Sequence, residues 1–383
     1  MSAMREAALV NAARLPAEAL EFVGPGGRRD VSVIVKATFT IAGERLALAD
    51  EQLPLAGDVV RGDPRTTALR YESDFVPWKP RADTLCVGNA YPGDAKRATH
   101  CVVAFGVGRW LKQILVTGNR TWKTGIARFG NTPTDPEPFS VMPVSFEHAY
   151  GGPDPGDDSG VGGFAPNLIG KGHTSSSATL AGLALPNLED PANRIRGWKD
   201  RPAPRSFGPV GRTWQPRCGG LGTYDTRWLE RDAPAPPRDF DEGYYNCAPE
   251  DQQIDGHLRG DEKVRVVNMH PVHADMTFRL PKLRVRCLAD RARDGARRLE
   301  EVATNLDTLW VDMEALQVVL VWRARLDRAT ARDVSHLLVV SEPLGDPTRP
   351  PETYRPHIDG FEFDEADPED DEPVIEPVEY VPD

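Results

Sequence analysis

The chain has 383 residues, of which 40% are hydrophobic and 27% charged, with a formal net charge of −12, and this length allows two or three domains with a substantial core. No stretch approaches the ~18 consecutive apolar residues of a membrane helix, and residues 1–15 lack the apolar segment and cleavage site of a secretory signal. Five scattered cysteines without CxxC pairing argue against a disulfide scaffold or a zinc site, so we expect a cytoplasmic protein without membrane insertion or a bound cofactor.

The first part of the chain, residues 1–132, is predicted to form a strand-rich lobe. Residues 31–41 are β-branched and largely alternating, as in a half-buried strand. Two apolar runs, residues 101–105 and 111–116, are separated by the sequence GVGR, which is typical of a hairpin with a short loop. A helix is expected at residues 5–20.

The central part, residues 133–262, has a different composition. Residues 133–252 hold 33 of the chain's 69 glycines and prolines, together with Trp198, Trp214 and Trp228. Such a glycine and proline content would suggest low complexity, but disordered segments contain few aromatic residues. The glycines and prolines are therefore expected to fix backbone turns, and this part is predicted to be a long ordered loop region.

The last third returns to a strand pattern, and residues 263–345 are predicted to form a second strand-rich lobe, with helices expected only at residues 290–302 and 328–336. The fragments ADTLCV at 82–87 and LDTLWV at 306–311 look alike, which hints at two related β lobes. The predicted fold class is therefore mainly β (α+β), with few helices. Two strand-rich lobes bracket a long ordered loop region that is rich in Gly, Pro and Trp.

Residues 346–383 are predicted to be a proline-rich acidic tail. From Asp359 onward there are twelve acidic residues and no Lys or Arg, so residues 1–358 carry 46 basic and 46 acidic side chains. Because this balanced part has no basic stripe, nucleic acid is not an expected partner. The tail is either a solvated solubility segment or an extended docking arm. For the docking arm, the candidate side chains are Phe361, Phe363, Ile375 and Tyr380.

Enzyme motifs occur only in incomplete form. The sequence GVGGFA resembles a dinucleotide-binding fingerprint but does not follow a strand pattern, and IGKG lacks both the hydroxyl residue and the first glycine of a phosphate-binding loop. His270 and His273 have no third ligand spaced nearby, and Cys247 and Ser145 have no evident base. No catalytic, cofactor-binding or metal-binding residue is predicted.

The polar and aromatic residues of the central part form a different pattern, beside glycine and proline turns. Either Arg–carboxylate and Trp–Pro contacts hold the loops in place, or the same side chains form a recognition face, since Trp, Tyr and Arg dominate binding hot spots; both can hold at once. We expect mostly internal hydrogen bonds and ion pairs for Glu147, Arg217, Asp225, Asp239 and Asp251. The full set of candidate scaffold or recognition residues is Glu147, Gly151, Gly152, Asn167, Gly170, Glu189, Trp214, Arg217, Tyr224, Asp225, Trp228, Asp239, Asp241, Asn246, Asp251, Gln252, Asp261 and Glu262.

A series of short motifs in the same region carries a family resemblance. The motifs are HAYGG, NLIGKG, LPNLEDP, FGPVGRTW, GTYDTRW, DFDEGYYNCAPEDQQ and LRGDE, preceded by VIVKATF, YESDFVPWKPRADTLCVGNAY and TGNRTW. Over roughly residues 25–325 the chain resembles the uncharacterised-domain family of bacterial type VI secretion accessory proteins. His173 departs from the family pattern, which more often has an aromatic residue there, and the acidic tail lies outside the resemblance.

This resemblance implies a non-enzymatic adaptor or chaperone that binds a toxin effector and helps load it onto the type VI secretion spike tip. The expected partners are the toxin effector and spike-tip proteins. One alternative is a carbohydrate-active or carbohydrate-binding β-rich enzyme, and another is a structural component of a secreted particle. An adaptor should present a broad groove without convergent titratable groups, whereas an enzyme should present a deep pocket with a perturbed carboxylate or histidine.

Overall fold

The computed structural model of the protein describes residues 7–93, 96–123, 125, 130–159, 162–327 and 333–360. Strands predominate in these ranges and the helices are short, so the mainly β class is confirmed. The strands are β1 (Ala8–Asn11), β2 (Ala17–Val23), β3 (Arg29–Ala42), β4 (Arg45–Leu48), β5 (Val59–Val60), β6 (Leu69–Tyr71), β7 (Ala82–Val87), β8 (Asn89–Ala90), β9 (His100–Val107), β10 (Trp110–Thr117), β11 (Trp122–Lys123), β12 (Thr132–Pro133), β13 (Met142–Pro143), β14 (Tyr150–Gly151), β15 (Lys171–Gly172), β16 (Leu188–Glu189), β17 (Gln253–Ile254), β18 (Lys263–Val267), β19 (Asp275–Arg279), β20 (Leu283–Arg293), β21 (Ala296–Val302), β22 (Thr304–Asp312), β23 (Gln317–Asp327) and β24 (Val334–Pro343). The α-helices are α1 (Thr226–Arg231) and α2 (Arg355–Asp359), with 3₁₀ turns at Pro25–Gly27, Phe146–His148, Ser177–Thr179, Arg217–Leu221, Glu242–Tyr245, Glu250–Gln252 and Pro351–Tyr354.

Three sheets combine strands from both ends of the chain. The largest has the order β17-β7-β22-β23-β3-β2, with β4 also paired to β3. A five-stranded sheet has the order β16-β10-β9-β18-β19, and a four-stranded sheet has the order β1-β24-β20-β21. Strand pairing therefore crosses the predicted boundaries at residues 132 and 263, because β3 pairs with β23, β9 with β18 and β1 with β24.

The two similar sequence fragments are neighbouring strands of the largest sheet. They form β7 and β22, which run parallel with Asp83 opposite Thr308 and Leu85 opposite Trp310. Parallel neighbours present alternate residues to the same side of a sheet. The two similar fragments are therefore adjacent parallel strands of one sheet.

Helices expected from the sequence at both ends of the chain are wrong where the structure describes them. Residues 5–20 contain β1 and the start of β2, and residues 290–302 form the end of β20 and all of β21. The third expected helix, at residues 328–336, ends inside β24, and residues 328–332 lie outside the described ranges. Backbone pairing decides these segments: β20 bonds to β24 on one side and β21 on the other, and such tertiary pairing overrides local helix propensity.

The largest sheet has two different faces because successive side chains of a strand point to opposite sides. One face, with Val33, Val35 and Leu320, packs into the main hydrophobic core. The opposite face carries Ile34 and Trp310 and packs against a smaller cluster that includes Cys247 of the central loops. The central loops and the long loop between β4 and β7 therefore cover this second face.

Candidate functional site

The sheet face under the central loops contains charged side chains that are fully buried. The side chains of Lys79, just before β7, and Asp83, in β7, are 2% and 0% exposed, and their Nζ and Oδ2 atoms lie 2.8 Å apart. Asp83 also accepts hydrogen bonds from the backbone N–H groups of Cys247 (3.0 Å) and Ala248 (3.1 Å) and from Nδ2 of Asn246 (3.0 Å). Burial pushes the pKa of Asp83 upward, but Lys79 and the hydrogen bonds hold this pKa below its usual value. Asp83 thereby ties the central loops to the sheet.

A second buried network holds the long loop between β4 and β7. Arg323 of β23 forms a fully buried ion pair with Asp307. Its guanidinium also donates to the backbone carbonyls of Val76 (3.0 Å) and Asp74 (2.7 Å). Lys36 of β3 binds the Asp74 carboxylate, with Nζ 2.9 Å from Oδ2. These bonds satisfy buried groups in a loop that lacks long strands of its own, and an unpaired buried charge there would cost several kcal/mol, on the order of 3–5.

Glu72 connects this loop to the central region. Its Oε1 accepts from Nη2 of Arg217 at 2.8 Å and from Nε of Arg212 at 2.7 Å. Arg217 further donates to the backbone carbonyls of Val210 (2.6 Å) and Tyr244 (3.0 Å). Burial alone would raise the pKa of Glu72, but the two arginines hold this pKa below its usual value. Arg217 therefore joins three separate chain segments through one side chain.

A groove of about 490 Å³ opens beside Arg217. Three of its four charged side chains have partners: Arg217 binds Glu72, Arg81 lies 3.0 Å from Asp255, and Asp241 accepts a backbone N–H at 2.8 Å. The fourth, Glu250, is exposed. The groove is lined by Pro80, Arg81, Val210, Pro216, Arg217, Gly220, Asp241, Gly243, Tyr244, Asn246, Ala248, Pro249, Glu250 and Gln253. Three prolines and a tyrosine are among the uncharged lining residues.

Aromatic side chains extend the surface beside this groove. The rings of Tyr224 and Trp228 lie 4.6 Å apart between centroids, and Phe240 lies 5.9 Å from Tyr244 and 5.2 Å from Tyr245. Burial raises the pKa of Tyr245 to about 12, with smaller contributions from neighbouring acidic groups that include the Tyr224 and Tyr244 phenols. The pair Tyr224–Trp228 therefore lies near the cluster that Phe240 forms with the two tyrosines. Tyr224 is 53% exposed. We call these five residues the aromatic face.

The candidate glycines Gly151, Gly152 and Gly170 allow two turns to pack against each other. The Gly152 N–H donates to the carbonyl of Asn167 at 2.8 Å. A Cβ atom added at Gly151 would overlap that Asn167 carbonyl, and one added at Gly152 would overlap the carbonyl of Gly170. The Asn167 side chain is buried and donates to two backbone carbonyls at 2.8 and 3.1 Å. These residues hold the backbone in place and present little side-chain surface.

Three further candidates hold loops from within. Glu147 accepts a backbone N–H from just before β6 at 2.8 Å. Glu189 and Arg120 form an ion pair at 2.6 Å, with side chains 1% and 6% exposed. Trp214 is buried and packs edge-to-face on Phe146, with ring centroids 5.2 Å apart. Their contacts are those of a scaffold.

The remaining acidic candidates bind neighbouring backbone or lysine. Asp225 caps α1 by accepting the third N–H of the helix at 2.8 Å, and Asp239 accepts a backbone N–H at 3.0 Å. Asp251 and Gln252 both accept from Nζ of Lys112, at 2.8 and 2.7 Å. Each of the five charged side chains expected to bond internally therefore has a protein partner. In the turn before β18, Glu262 accepts two backbone N–H groups at 2.8 and 3.0 Å, and the Asp261 carbonyl accepts from Arg279.

The residues of the incomplete enzyme motifs lie in separate places. Cys247 is buried, and burial followed by the nearby Asp83 carboxylate raises its pKa well above the usual value. The rings of His270 and His273 stack with centroids 4.9 Å apart on an exposed turn. Ser145 lines a different cavity of about 270 Å³, together with Glu147 and His148. In the described ranges, no three His, Cys, Asp or Glu side chains are arranged to hold a metal ion, and no helix is long and apolar enough to cross a bilayer.

The candidate docking residues of the tail, Phe361, Phe363, Ile375 and Tyr380, lie outside the described residues.

The sequence reasoning missed the buried charges that anchor the loops: Lys36, Glu72, Lys79, Asp83 and Arg323. A signal for two of them was present, because Lys36 interrupts the run VIVKATF and Arg323 interrupts VVLVWRARL. Such a charge lies inside an apolar strand, on the face that the loops cover. Because buried charges are normally paired, it indicates a buried partner. No such signal marks Glu72, whose partners Arg212 and Arg217 are 140 and 145 residues away.

Comparison with known proteins adds one finding. Neither the curated proteins nor the solved structures include a match to the chain. A family model described as an uncharacterized protein conserved in bacteria (DUF2169) matches residues 26–323. This range begins just before β3 and ends within β23, so it includes the groove, the aromatic face and the buried anchors. The chain therefore belongs to this bacterial family of uncharacterized proteins.

Proposed function

We propose that the protein is a non-enzymatic adaptor that binds a protein partner through the aromatic face and the adjoining groove. The observation that supports this proposal is the grouping of Tyr224, Trp228, Phe240, Tyr244 and Tyr245 at the groove. Tyr, Trp and Arg supply most of the binding energy of protein interfaces because their large side chains bury much apolar area. Three of the four charged side chains of the groove, Arg81, Arg217 and Asp241, are engaged in ion pairs or backbone bonds, which is the arrangement expected of an adaptor.

The exposure of Tyr224 in the aromatic face and of the adjoining Leu229 favours binding of another chain over a purely internal role. Tyr224 is 53% exposed, and Leu229 on α1, next to Trp228, is 65% exposed. Tyr224 also makes a ring contact with Trp228. Apolar side chains grouped in this way mark interaction sites more often than single exposed ones do.

The proposed identity of the partner rests on the resemblance to type VI secretion accessory proteins. We propose that the partner is a toxin effector, and that the adaptor loads it onto the spike tip from the cytoplasm. The test is affinity capture of the tagged full chain from the bacterium that encodes it, followed by mass spectrometry. The captured partner is then purified, and its dissociation constant is measured by calorimetry.

The variant that tests the binding face is Y224A/L229A, and its matched control is V141A/V272A, which removes two exposed apolar side chains elsewhere. Loss of a binding hot spot costs about 2 kcal/mol, which is roughly a 30-fold weaker Kd. We expect this loss for Y224A/L229A and an unchanged Kd for the control. Equal capture by both variants would contradict the aromatic face as the binding surface. A partner that is neither a toxin nor a spike-tip protein would contradict the type VI role and leave the adaptor role standing.

A further inference from the structure

A loop that follows β16 carries a local excess of positive charge. Residues 193–205 have the sequence NRIRGWKDRPAPR, with five basic residues and one acid. Two contacts fix the backbone: Ile195 is buried and its N–H donates to Glu189 at 2.9 Å, while Asp200 accepts the N–H groups of Arg196 and Gly197 at 2.8 Å each. We call residues 193–205 the cationic loop. Its one carboxylate is already engaged in shaping the turn.

Most of the cations on this loop lack a carboxylate of their own. The structure gives the exposed side chains of Arg194 and Arg196 no hydrogen-bond or ion-pair partner among the described residues. Nζ of Lys199 lies 5.5 Å above the ring of Trp198. Arg201 donates to three backbone carbonyls, at 2.9, 3.0 and 2.6 Å. Even with Asp200 counted against them, these four side chains leave a net charge of +3.

The loop also presents an apolar surface between its cations. Trp198 is half-buried and packs on a small hydrophobic cluster that includes Trp122, Tyr150 and Leu185. The remaining part of the indole is open beside Lys199. An indole flanked by arginines and a lysine fits a peptide that combines acidic side chains with aromatic or β-branched ones.

A segment with this composition belongs to the same chain. Residues 361–383 contain eleven acidic residues and no basic residue, together with apolar side chains such as Phe361, Phe363, Ile375 and Tyr380. We propose that this acidic C-terminal segment binds the cationic loop of its own chain. The binding combines carboxylate pairs to Arg194, Arg196 and Lys199 with an aromatic or branched side chain on Trp198.

Chain length permits this contact. Twenty-three residues reach about 76 Å when extended, and a domain of about 350 residues has a radius of gyration of only about 20 Å. Another arginine-rich surface, on β20 and β21, is a poorer match because its arginines are already paired with acids. Arg291 and Arg293 bind Glu300 at 3.1 and 3.4 Å, and Arg297 binds Asp290 at 2.7 Å. In the cationic loop Arg205 is paired in the same way, with Asp190 and Asp251, but Arg194, Arg196 and Lys199 are exposed, so this loop offers the less neutralised charge.

The experiment is zero-length cross-linking of the full chain with a carbodiimide, which joins a lysine amine to a carboxylate in contact with it. Peptide mass spectrometry should find Lys199 linked to acids of residues 361–383 at a yield at least tenfold above that of the exposed lysines Lys263 and Lys282. The link should weaken between 50 and 500 mM salt, because the Debye length falls from about 14 to about 4 Å. In an equal mixture of unlabelled and ¹⁵N-labelled chains, the linked peptides should carry a single isotope.

The variant R194E/R196E keeps Lys199 and the tail but removes the attraction, and we expect its Lys199–tail yield to fall at least tenfold. The matched control R227E/R231E reverses two exposed charges on α1 and should leave the yield unchanged. Circular dichroism and thermal melting of each variant establish that the fold is intact. Equal linking of the tail to all exposed lysines, or an unchanged yield in R194E/R196E, would overturn the proposal. Mixed-isotope links would also overturn it, because they would place the tail on a second copy.

Discussion

Replacement of Lys79 by methionine removes one partner of a fully buried ion pair while keeping most of the side-chain volume. The carboxylate of Asp83, 0% exposed, would then remain without its cation, 2.8 Å away in the native protein. Breaking such a pair costs about 3–5 kcal/mol. At about 2.1 cal/mol/K per residue, the unfolding entropy of about 350 residues is near 0.7 kcal/mol/K, so the expected loss in Tm is about 4 to 7 °C.

The pH dependence separates a charge effect from a packing effect. In the native protein the pKa of Asp83 is held below its usual value, so the pair contributes stability above the unfolded pKa of about 3.9 and loses it as pH falls. In K79M, burial without the lysine raises the folded pKa of Asp83, so the variant loses stability as pH rises through that value. The native contribution stays nearly constant between pH 7 and 4.5, because this range lies above the unfolded pKa. The raised pKa of Asp83 in K79M therefore makes the deficit of the variant shrink as pH falls from 7 to 4.5.

The assay is urea unfolding at pH 7 and pH 4.5, with K263M as the control because Lys263 is exposed. The control should stay within about 0.5 kcal/mol of the native protein. Hydrogen exchange at the amides of Cys247 and Ala248, which donate to Asp83, should accelerate in K79M. A deficit below 1 kcal/mol at pH 7, or an equal deficit at both pH values, would refute the electrostatic reasoning.

Two further predictions concern the central region. G152A should lose about 3 kcal/mol or more of unfolding free energy in urea, because its Cβ would overlap the Gly170 carbonyl at a φ of +94°. The control G182A, with a φ of +79° and open space around it, should lose only about 1 kcal/mol. Equal losses in the two variants would contradict the close packing at Gly152. Burial and the neighbouring Lys171 lower the pKa of His148, although its hydrogen bond with Asn187 acts in the opposite direction. The neutral imidazole therefore contributes stability above the unfolded pKa of about 6.5, and this stability is lost as pH falls toward the folded pKa. H148Q should therefore show a flatter stability profile between pH 7.5 and 5.5 than the native protein, and an unchanged slope would contradict this role.

The sequence predicted the features that depend on neighbouring residues. An alternating β-branched run identified β3, because a strand with one buried face has a side-chain period of two, and two apolar runs around a short loop identified the hairpin of β9 and β10. The aromatic content of residues 133–252 indicated an ordered loop region. Short-range capping also follows from local chemistry, since Asp225 lies three residues before the amide that it accepts in α1.

Long-range pairing decided what the sequence left open. Residues 290–302 have the composition of a helix, yet they form a hairpin because β20 is held between two strands of one sheet. The groove exists because Glu72, Asp83 and Arg217 join segments more than 140 residues apart. A buried charge is stable only beside its partner, and partners at such separations meet through the packing of the whole chain. The sequence by itself therefore determined the strand-rich class, whereas the tertiary structure alone decided which loops meet at the groove.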